Sequence, residues 1–66
     1  MSEPLFPEIE VDVRPYADKP MACMAMVRRA LQRAGQPEEA ARFTREVMAA
    51  DPDSVLAVAG KYVHVP

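Results

Sequence analysis

The sequence predicts a small α+β domain in the order β-α-α-α-β: a two-stranded sheet with the helices packed on one of its faces. Three observations lead there. Glu8 to Arg14, EIEVDVR, alternates charged side chains with Ile9, Val11 and Val13, the period of a half-buried strand. Lys61 to Val65, KYVHV, alternates again near the other end of the chain. Between them lie three apolar patterns of helical spacing, punctuated by prolines and glycines. Two lone strands in 66 residues have one economical solution: they pair, and the helices support the ribbon that a hairpin alone could not sustain. The direction of pairing is not set by these patterns.

A chain of 66 residues holds one domain. Its core is small, because short chains bury a smaller fraction of their surface. Residues 1–7, MSEPLFP, read as a flexible arm broken by Pro4 and Pro7, and residues 8–66 as the domain. Phe6 is expected to tuck against the domain edge, as aromatic side chains prefer burial.

In the first strand Ile9, Val11 and Val13 should face the core; β-branched side chains suit a pleated surface. PYADKP then turns the chain. Met21 to Ala34 reads as a helix with Asp18 as its cap and Pro20 in its entry. Its apolar stripe is Cys23, Met24, Val27, Ala30, Leu31 and Ala34. Gly35 stops it by accepting a left-handed conformation. The second helix, QPEEAARFTREVMAAD, starts at Pro37 with Glu38 and Glu39 in its first turn, where the helix dipole favours acids. Its stripe is Ala40, Phe43, Val47 and Ala50. DPDSVLAVAG repeats the start signal, with Asp51 as cap, Val55, Leu56 and Ala59 inward, and Gly60 as terminator. In the last strand Val63 and Val65 share one side, Tyr62 and His64 the other.

Composition removes several classes of function. Ten acidic against eight basic residues give a net charge of −2, no electrostatic footprint for nucleic acid or an anionic membrane. One cysteine cannot form an internal disulfide. No apolar run approaches the roughly 20 residues of a membrane span, and the acidic, proline-broken start is unlike a signal peptide. A cytoplasmic protein is expected.

Catalytic chemistry finds little material. There is one histidine and one cysteine. Cys23 sits on a buried stripe, where a thiol behaves as a small hydrophobe, and His64 is expected on the opposite side of the sheet. Both glycines are expected to end helices, so no phosphate loop or nucleophile elbow is formed. No metal-ligand spacing occurs, and no cofactor is expected. Met21, Met24 and Met26 read mainly as filler of a small core.

What remains is surface. Helices on one face of a two-stranded sheet leave the other face open, showing Glu10, Asp12, Tyr62 and His64, and leave an edge free to pair. An aromatic and a histidine among carboxylates suit a protein partner or self-association. The alternative is a small dimeric DNA-binding regulator of ribbon–helix–helix type, given by the order strand, helix, glycine turn, helix. It would use Arg28, Arg29 and Arg33, with Arg42 and Arg45 nearby. Its reading strand would carry Glu8, Glu10 and Asp12, the wrong sign for phosphates.

The segments EIEVDV, AMVRRALQRAG, PEEAARFTREVMAAD and SVLAVAGKYVHV together resemble a family of small bacterial and phage-encoded proteins of unassigned function. Members begin with an acidic alternating strand and continue with a helix ending in an Arg/Lys-Ala-Leu…Ala-Gly phrase. A Glu-rich helix, a short helix and an aromatic–valine strand follow. The likeness spans Glu8 to Val65 and is most specific at Arg28 to Gly35 and Tyr62–Val63. The chain departs from the family at YADKPMACMAM, where members carry a Gly-Asn-Ala-aromatic entry, and at ADPDS, where they carry a Gly-Asp-Tyr-like turn. The resemblance implies the same fold and carriage on a mobile element or phage, and it brings no activity. The resulting expectation is a non-catalytic protein-interaction or accessory module.

Overall fold

The computed structural model describes residues 3–66, Pro52 by its backbone alone. Its elements are β1 (Phe6–Glu10), a 3-10 turn (Arg14–Tyr16), α1 (Pro20–Arg33), α2 (Pro37–Ala49), a second 3-10 turn (Pro52–Ser54), α3 (Val55–Tyr62) and β2 (Val63–His64). The order is β-α-α-α-β, and the two strands form a parallel sheet. Parallel neighbours require a crossover rather than a hairpin. Here three helices supply it, so the ribbon closes only when both ends of the chain have met.

β1 is displaced from the expected Glu8–Arg14. It begins at Phe6, inside the stretch expected as an arm, and Leu5 N–H donates to Lys61 O at 3.0 Å. Met1 and Ser2, the first two residues of that arm, lie outside the described residues. Phe6 packs half-buried against the core. The strand ends early because Asp12 turns the chain. Its Oδ1 accepts Arg14 N–H at 3.1 Å, the side-chain mimic of a backbone turn that aspartate offers. Tyr16 N–H then donates to Val13 O at 2.9 Å, closing the 3-10 turn around Pro15. Val11 and Val13 leave the sheet yet stay buried, and Val11 N–H still reaches His64 O at 3.0 Å. The alternation therefore predicted burial more accurately than strand length.

Pro20 takes the first helical position of α1 and Pro37 that of α2, where a missing N–H costs nothing. That places the cap of α1 at Lys19, and Asp18 forms no capping bond. Cys23, Met24, Val27 and Leu31 are buried as expected, Ala30 is half-buried, and Ala34 is exposed as the C-cap. Gly35 follows with φ +78°. Its N–H reaches Gln32 O at 3.1 Å, and Gln36 N–H reaches Leu31 O at 2.9 Å. This is the Schellman pattern that satisfies the last carbonyls. In α2, Ala40, Phe43 and Val47 are buried, whereas Ala50 is extended and exposed.

α3 differs most from expectation. Gly60 does not end it; the helix runs on through Lys61 to Tyr62. The buried residues are Val55, Val58, Ala59 and Tyr62, spaced i, i+3, i+4, i+7 on one helical face. Leu56 is exposed. α1 packs against both α2 and α3, and α2 against α3. The core is one cluster from Val11 and Val13 through Leu31 and Phe43 to Val63, with Phe6, Ile9, Met26, Ala30 and Val65 packed around it.

Candidate functional site

The open face expected to show Glu10, Asp12, Tyr62 and His64 is not assembled as such. Glu10 and His64 do meet. They are register partners across the ribbon, and His64 Nε2 lies 3.8 Å from Glu10 Oε2 with both side chains exposed. The contact becomes an ion pair when the imidazole is protonated. Asp12 is exposed but turns toward Arg14: Nε donates to Oδ1 and a terminal nitrogen to Oδ2, each at 2.9 Å. The Arg14 side-chain bonds, then its backbone N–H, hold the Asp12 carboxyl down at about 2.

Tyr62 does not belong to this face. It is 2% exposed and lies at the end of α3. Its ring meets Phe43 edge-on at 5.5 Å and 76°. Its hydroxyl donates to Glu46 Oε1 at 2.9 Å. The local alternation of KYVHV mimics a strand, but the aromatic ring gains more by completing the helical stripe. Packing overrides the two-residue period.

The structure brings together residues from two separate expectations. A cleft of about 430 Å³ is lined by Glu10, Val11, Asp12, Met26, Arg29, Ala30 and Arg33, a volume in the range of ligand clefts. One wall is the end of β1 and its turn; the other is α1. Met26, Arg29, Ala30 and Arg33 recur at i, i+3, i+4, i+7, a stripe beside the buried one. That spacing is present in the sequence, although charge alone groups Arg29 and Arg33 with Arg28 and composition alone makes Met26 core filler. Arg28 is exposed and does not line the cleft.

The two walls differ in what is already engaged. Asp12 is held by Arg14, and Glu10 has His64 beside it. Arg29 and Arg33 make no ion pair or side-chain hydrogen bond among the described residues. They stand one turn apart on a rigid helix, about 6 Å along its axis. The rest of the lining is apolar: Met26 and Ala30 on α1 beside the arginines, and Val11 after β1.

Cys23 and His64 are kept apart in environment. Cys23 is 1% exposed, its Sγ donates to Tyr16 O at 2.9 Å, and burial pushes its thiol above the ordinary value. His64 is exposed on the ribbon. No group of three or more His, Cys, Asp or Glu side chains converges among the described residues, and none of the described helices is long and apolar enough to cross a membrane. Comparison with protein-family models, curated proteins and solved structures returns no match.

Proposed function

We propose that this protein is a non-catalytic cytoplasmic interaction module that docks a protein partner in the cleft between α1 and the end of β1. The observation that carries the reading is the pair Arg29 and Arg33, which make no ion pair or side-chain hydrogen bond among the described residues and line the cleft together with apolar Val11, Met26 and Ala30. Arginines beside apolar surface are typical of protein-binding sites. The thiol and imidazole that a nucleophilic mechanism would join are, respectively, buried and exposed. A DNA-reading ribbon needs β1 to pair across a dimer; here it pairs with β2 of its own chain.

The test is affinity capture from the native host, with and without nuclease treatment, comparing the wild type with Arg29→Ala/Arg33→Ala. A defined protein held by the wild type and lost by the variant supports the reading. Recovery of nucleic acid instead, or equal capture by both proteins, overturns it. A stable homodimer in sedimentation that the same substitutions dissolve would reassign the cleft to self-association.

A further inference from the structure

We infer that the partner presents a carboxylate next to an apolar side chain. Arg29 and Arg33 grip the acid, and the apolar group lies on Met26, Ala30 and Val11. The inference rests on the docking role proposed above and specifies its chemistry.

Guanidinium groups bind carboxylates through paired, charge-assisted hydrogen bonds. Two of them one turn apart, with no ion pair among the described residues, leave that capacity open to an incoming group. An apolar group seated on Met26, Ala30 and Val11 would displace water beside the contact and so strengthen it. The opposite wall limits what can enter. Glu10 and Asp12 put negative charge across the same cleft, and the whole chain carries −2. An extended polyanion such as a nucleic-acid backbone would have to lie against those carboxylates. A short segment that is acidic at one end and neutral or basic at the other would not. The acid wall therefore acts as a selecting element, since specificity often comes from repulsion of the wrong partner.

The test uses the full chain, with its backbone, arginine side-chain nitrogens and methionine methyls followed by NMR. The probes are short capped peptides pairing a glutamate with a leucine at every spacing, the same peptides with glutamine for glutamate, inorganic phosphate, and a DNA duplex. The glutamate peptides should shift Arg29 and Arg33 side-chain signals together with the Met26 methyl. Binding should weaken with added salt and fall about ten- to a hundredfold in Arg29→Ala/Arg33→Ala. Arg29→Lys, which keeps the charge and loses the fork, should fall between.

Glutamine peptides that shift the same signals equally would overturn the carboxylate and leave the docking role standing. Phosphate outcompeting every glutamate peptide would replace the carboxylate by a phosphorylated side chain. Silence of the cleft signals to all peptides would overturn the carboxylate-and-apolar occupant, while the capture experiment above decides the docking role. Shifts of Arg28, Arg29 and Arg33 with the duplex alone would overturn both readings in favour of nucleic acid.

Discussion

The Tyr62 hydroxyl donates to Glu46 Oε1 at 2.9 Å, while Glu46 Oε2 accepts Lys61 Nζ at 3.1 Å. One carboxylate on α2 thus clamps the last turn of α3, immediately before the chain enters β2. Tyr62→Phe keeps the ring against Phe43 and removes only the hydroxyl. It should cost about 1 kcal/mol, lowering the thermal midpoint by about 4–8 °C in a domain of this size. Tyr62→Ala removes the buried ring as well, at about 3–5 kcal/mol, a large part of the stability of a small domain. Thermal unfolding followed by circular dichroism measures both. An unchanged midpoint in Tyr62→Phe would show that the clamp does not hold in solution.

The same pair sets a pH profile. The Tyr62 and Lys61 bonds hold the Glu46 carboxyl below its ordinary 4.5. Burial, then the Glu46 bond, pushes the Tyr62 phenol above its ordinary 10.0. Glu46 therefore contributes stability that is present above the ordinary glutamate range and lost as pH falls through its lowered folded value. Tyr62 contributes stability present below the ordinary tyrosine range and lost as pH rises through its raised folded value. A plot of thermal midpoint against pH should show a plateau between these limits. In Tyr62→Phe the alkaline limb due to this phenol should vanish and the acid limb due to Glu46 should shrink.

The two glycines should respond in opposite directions to alanine. Gly35 has φ +78°, where a side chain is strained even though nothing crowds its Cβ direction. Gly35→Ala should destabilise by about 1 kcal/mol. Gly60 lies inside α3 with open space beyond its Cβ direction, so Gly60→Ala should stabilise by about 0.5–1 kcal/mol through helix propensity and a less disordered unfolded chain. Urea midpoints of the two variants against wild type decide it. Equal signs would contradict the continuation of α3 through Gly60.

Those glycines also mark how far local rules reach. Gly35 follows a helix whose stripe ends and precedes a proline that starts another, so every local signal agrees and the turn was legible. Gly60 carries the same local signal, but Val55, Ala59 and Tyr62 form a helical stripe that crosses it, and packing on Phe43 and Glu46 decides the outcome. Val11 and Val13 were legible as core from alternation alone. That they leave the sheet depends on a single aspartate turn. The parallel pairing of the strands was not legible, since direction is set by where three packed helices deliver the chain. The cleft is half legible: the sequence singles out Glu10, Asp12, Arg29 and Arg33, but for rival sites, because their proximity is tertiary.

Cys23 should be protected rather than reactive. Its thiol is buried, bonded to Tyr16 O, and pushed above the ordinary value of 9.0, whereas the thiolate is the reacting species. A colorimetric disulfide reagent at neutral pH should therefore label it slowly, at a rate that follows the population of the open state. Urea below the midpoint should accelerate labelling, and the core variant Leu31→Ala, about 2–5 kcal/mol less stable, should accelerate it further. Fast labelling of the wild type without denaturant would show the first turn of α1 opening independently of the core.

Asp12 should titrate below the ordinary aspartate value. Its carboxyl is held at about 2 against an ordinary 3.8 by Arg14, and side-chain carbon shifts followed by NMR through the acid range would read it directly. Arg14→Gln should return it toward the ordinary value. Because the folded value is depressed, the associated stability is present above pH 3.8 and lost as pH falls through about 2. Both partners are well exposed, so solvent screening keeps that contribution small, and the larger consequence lies in the cleft. Its acid wall keeps the Asp12 charge through the range in which a bound glutamate would become protonated. Acid release of a glutamate peptide should therefore track the peptide's own carboxyl, and Asp12→Asn, by removing a repelling charge, should move its midpoint to lower pH. A midpoint that stays put or rises in Asp12→Asn would mean that this wall does not repel the bound acid.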